Sequence, residues 1–204
     1  MEGLSEAVVE LGVAARTLAG QSISGDRYVF QPFSDGVLLA AIDGIGHGNE
    51  AANASELTCA ILKAHAAEPV TALARRCHDH LRSTRGVVMS LAAFDVVRNL
   101  LTWLGIGNVQ GVLRRSGRPL ASEESLLVRA GVVGSQLPRL QASVLPVASG
   151  DTLILATDGV RSGFACAIPF ALSPQKTAQA ILDAHSKGTD DALVLVAHYH
   201  GHRI

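Results

Sequence analysis

Residues 38–44 read LLAAIDG and residues 153–159 read LILATDG. Each is an apolar run that delivers an aspartate at its C-terminal end, with a glycine directly after it. An unbroken apolar run of this length, closed by a turn pair, fits a strand buried on both faces. Asp43 and Asp158 therefore stand at strand ends, where Gly44 and Gly159 let the backbone turn and present a carbonyl to the same cavity. Asp-Gly is also a common turn pair, and either one alone reads as a turn. Two such ends in one chain suggest a shared edge.

Outward from these runs, residues 27–33 and 37–43 are β-rich and separated by Ser34, Asp35 and Gly36, which predicts a hairpin. Residues 7–15 read as a further strand. After a glycine-rich loop, residues 50–66 place Ala54, Leu57, Ile61 and Ala64 on one helical stripe, and residues 69–84 do the same with Val70, Leu73, Cys77 and Leu81. Pro69 suits the first turn of that second helix. Three strands are expected over 87–115, and others at 125–131, 142–147 and 152–157. Ser173 followed by Pro174 signals a helix start, with Ala178, Ile181 and Leu182 on its apolar face to about residue 186, and LVLVAHYH closes the chain as a strand. The order is strands, two helices, many strands, one helix and one strand. It predicts an α+β fold of mostly antiparallel sheet, as one domain over residues 1–204. The polar stretches Gly117–Glu124 and 134–141 read as exposed loops suited to recognition.

The composition narrows the function classes. At 204 residues and 48% hydrophobic the chain has material for one packed core, and with aromatics at only 4% that core must be built from small aliphatic side chains. Lys+Arg number 17 against 18 Asp+Glu, so the basic excess that nucleic acid or an anionic membrane would demand is missing. Neither is expected as a partner. Glu2, Glu6 and Glu10 occupy the region where a signal peptide would be cationic, and no apolar run approaches the ~20 residues of a membrane span, so a cytoplasmic location is expected. No heptad seam is evident, and a monomer is expected. Cys59, Cys77 and Cys166 are odd in number and lack any Cys-x-x-Cys pair, which argues against a disulfide framework or thiolate zinc and for small buried hydrophobes.

Further carboxylates join the two strand-end aspartates. Asp26 follows Ser24 and Gly25 at the start of a strand, and Asp190 with Asp191 precedes another. If those strands lie side by side, their carboxylates meet at one sheet end, where repulsion demands cations. Oxygen-only donors favour Mg²⁺ or Mn²⁺. The bland alternative is a set of solvated strand-end carboxylates. A dinucleotide loop at Gly44-Ile45-Gly46-His47-Gly48 fits poorly, because the third glycine comes one place early and Asp43 would face the pyrophosphate. A dehalogenase-type D-x-D nucleophile is excluded by Ala41. His198, His200 and His202 alternate, and read as a solvated strand end rather than a metal site. His65, His78, His80 and His185 read as boundary residues, and Arg75, Arg76, Arg82 and Arg85 as solvated helix-face charges.

In order along the chain, SGD at 24–26, DGIGHG at 43–48, RGVVMSLAAFD at 85–95, LGIGNVQGVL at 104–113, ATDGV at 156–160 and DDALVLV at 190–196 resemble the motifs of the metal-dependent type-2C (PPM) protein phosphatases. The match spans nearly the whole chain. The short length, the SGD form and the DGxGHG loop are most similar to the compact bacterial SpoIIE-type branch. This resemblance implies an αββα sandwich of two mostly antiparallel sheets flanked by helices, with two divalent ions, Mn²⁺ or Mg²⁺, at one edge. It further implies hydrolysis of phosphoserine or phosphothreonine on proteins by a metal-bridged water, and for this branch, phosphorylated STAS-domain proteins of a bacterial stress-signalling complex, the stressosome, as substrates.

Position by position, the resemblance makes Asp43 the bridging metal ligand, with the Gly44 carbonyl as a further ligand. It makes Asp26 the acidic ligand of one ion, and Asp158 and Asp190 ligands of the other, with Asp191 as runner-up to Asp190. Ile45 replaces a histidine that serves as leaving-group acid in some larger relatives, leaving water or His47 for that role. Asn108 replaces an aspartate linked there to a third metal, and Leu193 replaces a Thr or Ser. These departures also motivate an alternative: a non-catalytic, phosphatase-like protein-binding module. The four acidic ligand positions favour the enzyme.

Overall fold

Side chains of β3 (Gly36–Gly44) alternate between two cores, and this strand organises one of two sheets in the computed structural model, which describes residues 8–117, 123–165 and 172–201. Its sheet runs β2 (Asp26–Phe33), β3, β4 (Val87–Asp95), β5 (Leu100–Ile106) and β8 (Val128–Arg129), with β9 (Ser143–Pro146) also pairing β5. The second sheet runs β1 (Val9–Arg16), β11 (Ala192–Tyr199), β10 (Thr152–Ala156), β6 (Gln110–Arg114) and β7 (Glu123–Ser125). Among the described residues every strand pair is antiparallel except β5 with β8. This is the α+β sandwich that the motifs imply.

Between the sheets, Val37, Leu39 and Ala41 of β3 meet Leu153 and Leu155 of β10 and Leu193, Leu195, Ala197 and Tyr199 of β11. On the outer face of the first sheet, Leu38, Ala40 and Ile42 pack under α1 (Asn49–Ala64) and α2 (Val70–His80) with Leu62, Leu73 and Cys77. On the outer face of the second, Ile154, Ala156, Val194 and Val196 pack under α3 (Pro174–His185) with Ala178, Ile181 and Leu182. Both faces of β3, β10 and β11 are thus covered, which is why these strands are apolar without alternation. Phe94 and Tyr199 stack at 5.3 Å, and the Tyr199 hydroxyl donates to Asn99 Oδ1 at 2.6 Å, so the deepest aromatic keeps its polar end satisfied.

Several expectations need correction. Only Ser34 and Asp35 lie outside the hairpin strands, because Gly36 already pairs with Phe33. The buried residues of α1 are Ala51, Ala52, Ala54, Ser55, Thr58, Ile61 and Leu62, while Leu57 and Ala64 are exposed. The helix can bury two hydroxyls because Ser55 Oγ donates to the Gly25 carbonyl at 2.6 Å and Thr58 Oγ1 to that of Ala54 at 2.8 Å. Both α1 and α2 also end earlier than their apolar periodicity suggests. The 125–131 run splits into β7 and β8, which belong to different sheets. Residues 134–141 are only partly exposed, since Leu137 and Leu140 pack on the helix-side core. Arg85 lies beyond α2 and pairs with Glu50.

Cys77 is buried and Cys59 half-buried, and burial raises their thiols to about 12 and about 11, so both are inert at neutral pH. Cys166, His202, Glu2 and Glu6 lie outside the described residues. Among the described residues no helix is long and apolar enough to cross a membrane.

Candidate metal centre

Hydrogen-bond register places Asp26 and Asp43 directly opposite each other at the end of the β2–β3 ladder. Asp43 is two residues on from Ala41, which faces the core between the sheets, so both carboxylates share that face. From the other sheet, Thr157 follows β10 on the same side as Leu153 and Leu155, and its hydroxyl donates to Asp26 Oδ2 at 2.7 Å. Leu193 N–H donates in turn to Thr157 Oγ1 at 2.8 Å, which fixes that hydroxyl at the mouth of β11. The two sheets are therefore joined at the acidic end by a side-chain bridge onto a carboxylate.

Asp158 comes next. It is half-buried and its Oδ2 accepts from Asn108 Nδ2 at 2.8 Å. Gly159 must be a glycine, because a Cβ there would overlap the Asp191 carbonyl oxygen. A Cβ at Gly44 would likewise overlap the Ala51 carbonyl in the first turn of α1, and Gly44 N–H donates to the Gly25 carbonyl at 3.2 Å. Both glycines allow close backbone approach, which brings the strand ends together.

The Asp190–Asp191 pair divides its work. Asp191 is buried, and its two oxygens accept from Leu18 N–H at 2.7 Å and Gly25 N–H at 2.6 Å. It fastens both ends of the 18–25 loop and so holds Asp26 in place. Asp190 is exposed at the same edge and accepts from the Asp191 N–H at 2.9 Å. Of the two, Asp190 is the one with an oxygen free of a structural duty.

Burial raises the Asp26 carboxyl to about 7 against the lowering hydrogen bond from Thr157, with the charges of Asp191, Asp158 and Asp190 adding to the rise. Burial raises Asp43 to about 8, and Asp26, Asp158, Asp190 and Asp191 all push in the same direction. Asp158 is raised by burial and by Asp190. The sequence-predicted acids therefore do meet within mutual electrostatic reach. Among the described residues no three His, Cys, Asp or Glu side chains close round one point as a ready-made cage. The acids form an open rim, which fits a hard cation that keeps several waters and takes one or two carboxylates from the protein. Oxygen donors that resist ionising together fit a hard divalent cation.

Three residues to which the motifs gave no such role support the rim: Thr157 and Asn108 donate to Asp26 and Asp158, and Ser55, buried in α1, donates to the Gly25 carbonyl behind it. Thr157 was legible in principle, because in LILATDG a period of two puts it on the face of Leu153 and Leu155. His47, exposed in the glycine loop, makes no hydrogen bond or ion pair with the acids. At the far end of β11, His198 and His200 share a face with ring centroids 4.9 Å apart, while Thr152 and Glu10 flank them. A hollow of about 440 Å³ lined by Pro32, Phe33, Lys63, His65 and Glu68 also lies at the far end of β2, away from the acids.

The sequence profile described as Stage II sporulation protein E (SpoIIE) matches residues 34–200. Phosphoserine phosphatase RsbX of Bacillus subtilis (strain 168) is 23% identical over 141 residues, covering 69% of each chain. Among solved structures, one from work on the bacterial stressosome as a modular system adapted to control secondary messenger signalling superposes with a TM-score of 0.84. It is 27% identical and covers 93% of this chain and 98% of that one. RsbX in complex with magnesium superposes with a TM-score of 0.83 at 18% identity, covering 94% and 96%.

Proposed function

This chain belongs to the SpoIIE family, and from that membership we propose that it is a phosphoserine/phosphothreonine protein phosphatase that depends on two divalent metal ions, Mn²⁺ or Mg²⁺. Residues 1–204 form one phosphatase domain, acting as a monomer in the cytoplasm. The observation that carries this reading is the face-to-face placement of Asp26 and Asp43, with Asp158 and Asp190 brought to the same rim from the other sheet.

In this reading Asp43 would serve both ions, with the Gly44 carbonyl beside it, Asp26 would hold one ion, and Asp158 and Asp190 would hold the other. Divalent cations bound there supply Lewis acidity that activates water towards phosphorus and offsets charge on the phosphoryl oxygens. The chain's own part is orientation. Thr157 fixes the Asp26 carboxylate, Asn108 fixes that of Asp158, and Asp191 clamps the loop that carries Gly25. Ile45, beside Asp43, offers no proton, so the departing serine or threonine oxygen takes its proton from solvent or from His47. Neither described cysteine serves as a nucleophile, since burial holds both as thiols.

The substrates are phosphorylated STAS-domain proteins of a stressosome. This is supported by the similarity to RsbX and by the 27% identical structure from stressosome work. Neither a nucleic acid nor a membrane takes part. The test is to incubate the protein with a phosphorylated STAS-domain protein, with and without a chelator, and to measure phosphate release. Release with metal and none with chelator is expected. Equal release in both, or none in either, would overturn the reading.

A further inference from the structure

Cations near the acidic rim fall into two groups. Arg27 is spent on structure: its guanidinium donates to the Ser24 and Asp26 carbonyls at 2.6 and 2.9 Å and pairs with Glu56 at 3.0 Å. Arg85 pairs with Glu50 against the glycine loop. Arg161 donates to the Ala184 carbonyl at 2.7 Å, closing the end of α3. Lys187 differs. It is exposed and, among the described residues, has no ion pair or side-chain hydrogen bond.

Its position is nevertheless fixed. Lys187 N–H donates to the Gly159 carbonyl at 2.8 Å, one residue beyond Asp158, and the neighbouring Val160–Ser186 bridge continues that contact. Burial and the Asp190 charge raise the Asp158 carboxyl, and the positive charge of Lys187 lowers it against them. Gly188 follows with φ +71 and open space around it, so the tethered backbone carries the long lysine stem at the start of a short exposed loop that ends at Asp190. An uncommitted ammonium held beside a rim of acids gains little from the resting fold. It becomes useful when an anion sits on that rim.

We propose that Lys187 is a substrate-binding residue whose ammonium contacts the phosphoryl oxygens of the phosphoprotein on the Asp158–Asp190 side of the centre. This rests on the phosphatase reading and goes further, since it assigns phosphate binding to a residue outside the acidic set. A flexible point charge suits the role, as it can follow the phosphoryl group between substrate and product.

The test uses the Mn²⁺-loaded full chain with two probes, inorganic phosphate and p-nitrophenyl phosphate, and the variants Lys187→Ala and Lys187→Arg. Loss of one charge-assisted contact in a partly screened site predicts a rise of about tenfold in the phosphate dissociation constant and in KM for Lys187→Ala, with kcat within about threefold. Lys187→Arg should stay near wild type. Calorimetric titration of Mn²⁺ into metal-free Lys187→Ala should show equal or tighter cation binding, because a positive charge has left Asp158. Unchanged phosphate affinity, or phosphate and Mn²⁺ affinities that weaken together, would overturn the proposal, the latter by marking a merely structural role. A wild-type protein that binds phosphate through Lys187 yet releases none from a phosphoprotein would instead sink the phosphatase reading alone.

Discussion

The Thr157 hydroxyl reaches across from one sheet to donate to Asp26 Oδ2 on the other, at 2.7 Å, while Thr157 Oγ1 accepts the Leu193 N–H. One side chain thus couples the orientation of a candidate metal ligand to the meeting of β10 and β11. Thr157→Val keeps the shape and removes both bonds. The metal-free protein should lose about 1–3 kcal/mol in denaturant unfolding, and cation affinity should fall about tenfold. Thr157→Ser should recover most of both. A Val variant with wild-type stability and affinity would show that the bridge has no energetic role.

Asp190 and Asp191 should separate cleanly. Asp191→Asn can still accept from one of its two N–H partners but turns an amide donor towards the other. It should destabilise the fold by about 2–4 kcal/mol and speed hydrogen exchange across residues 18–25. Asp190→Asn should leave metal-free stability unchanged or raised, since it removes a repelling charge, while weakening cation binding. The reverse pattern would exchange their roles.

Asn108 supplies a neutral donor to Asp158. Asn108→Ala should weaken cation binding by about three- to tenfold with little change in melting temperature. Asn108→Asp replaces that donor with another acid and should lower metal-free stability above neutral pH. Equal melting curves at pH 8 for wild type and Asn108→Asp would contradict the crowding of charge at this rim.

The pH dependence has a definite sign. Asp26 and Asp43 rise from an ordinary 3.8 to about 7 and about 8 in the folded chain, so between those values the folded state holds protons that the unfolded state has lost. Metal-free stability is therefore greatest at the acidic end of that interval, falls as pH climbs through it, and levels off beyond about 8. Cations bind the ionised carboxylates, so the rise in melting temperature on adding Mn²⁺ should be small near pH 5 and full above pH 8. A metal-induced rise that is independent of pH would rule out this pair as ligands.

Much of this was legible in the sequence where backbone chemistry is local. The two Asp-Gly strand ends, the Ser173–Pro174 helix start and the apolar runs of β3 and β11 all follow from periodicity and turn residues. The rest depended on contacts between distant segments. Apolar periodicity puts Leu57 and Ala64 on the α1 stripe, whereas the buried face takes Ser55 and Thr58, whose hydroxyls bond carbonyls that no periodicity reveals. The 125–131 run gave no sign that its halves serve different sheets. Asp190 and Asp191 are identical in type, and only the Leu18 and Gly25 amides tell them apart. Lys187 left no motif at all; its interest lies in what it does not touch.

The most direct measurement is a calorimetric titration of Mn²⁺ into the metal-free wild type and into Asp43→Asn. Two equivalents should bind to the wild type, and the variant should lose both, because one carboxylate serves the two ions. Binding by Asp43→Asn with wild-type stoichiometry and affinity would contradict a shared cation centre at the end of β3.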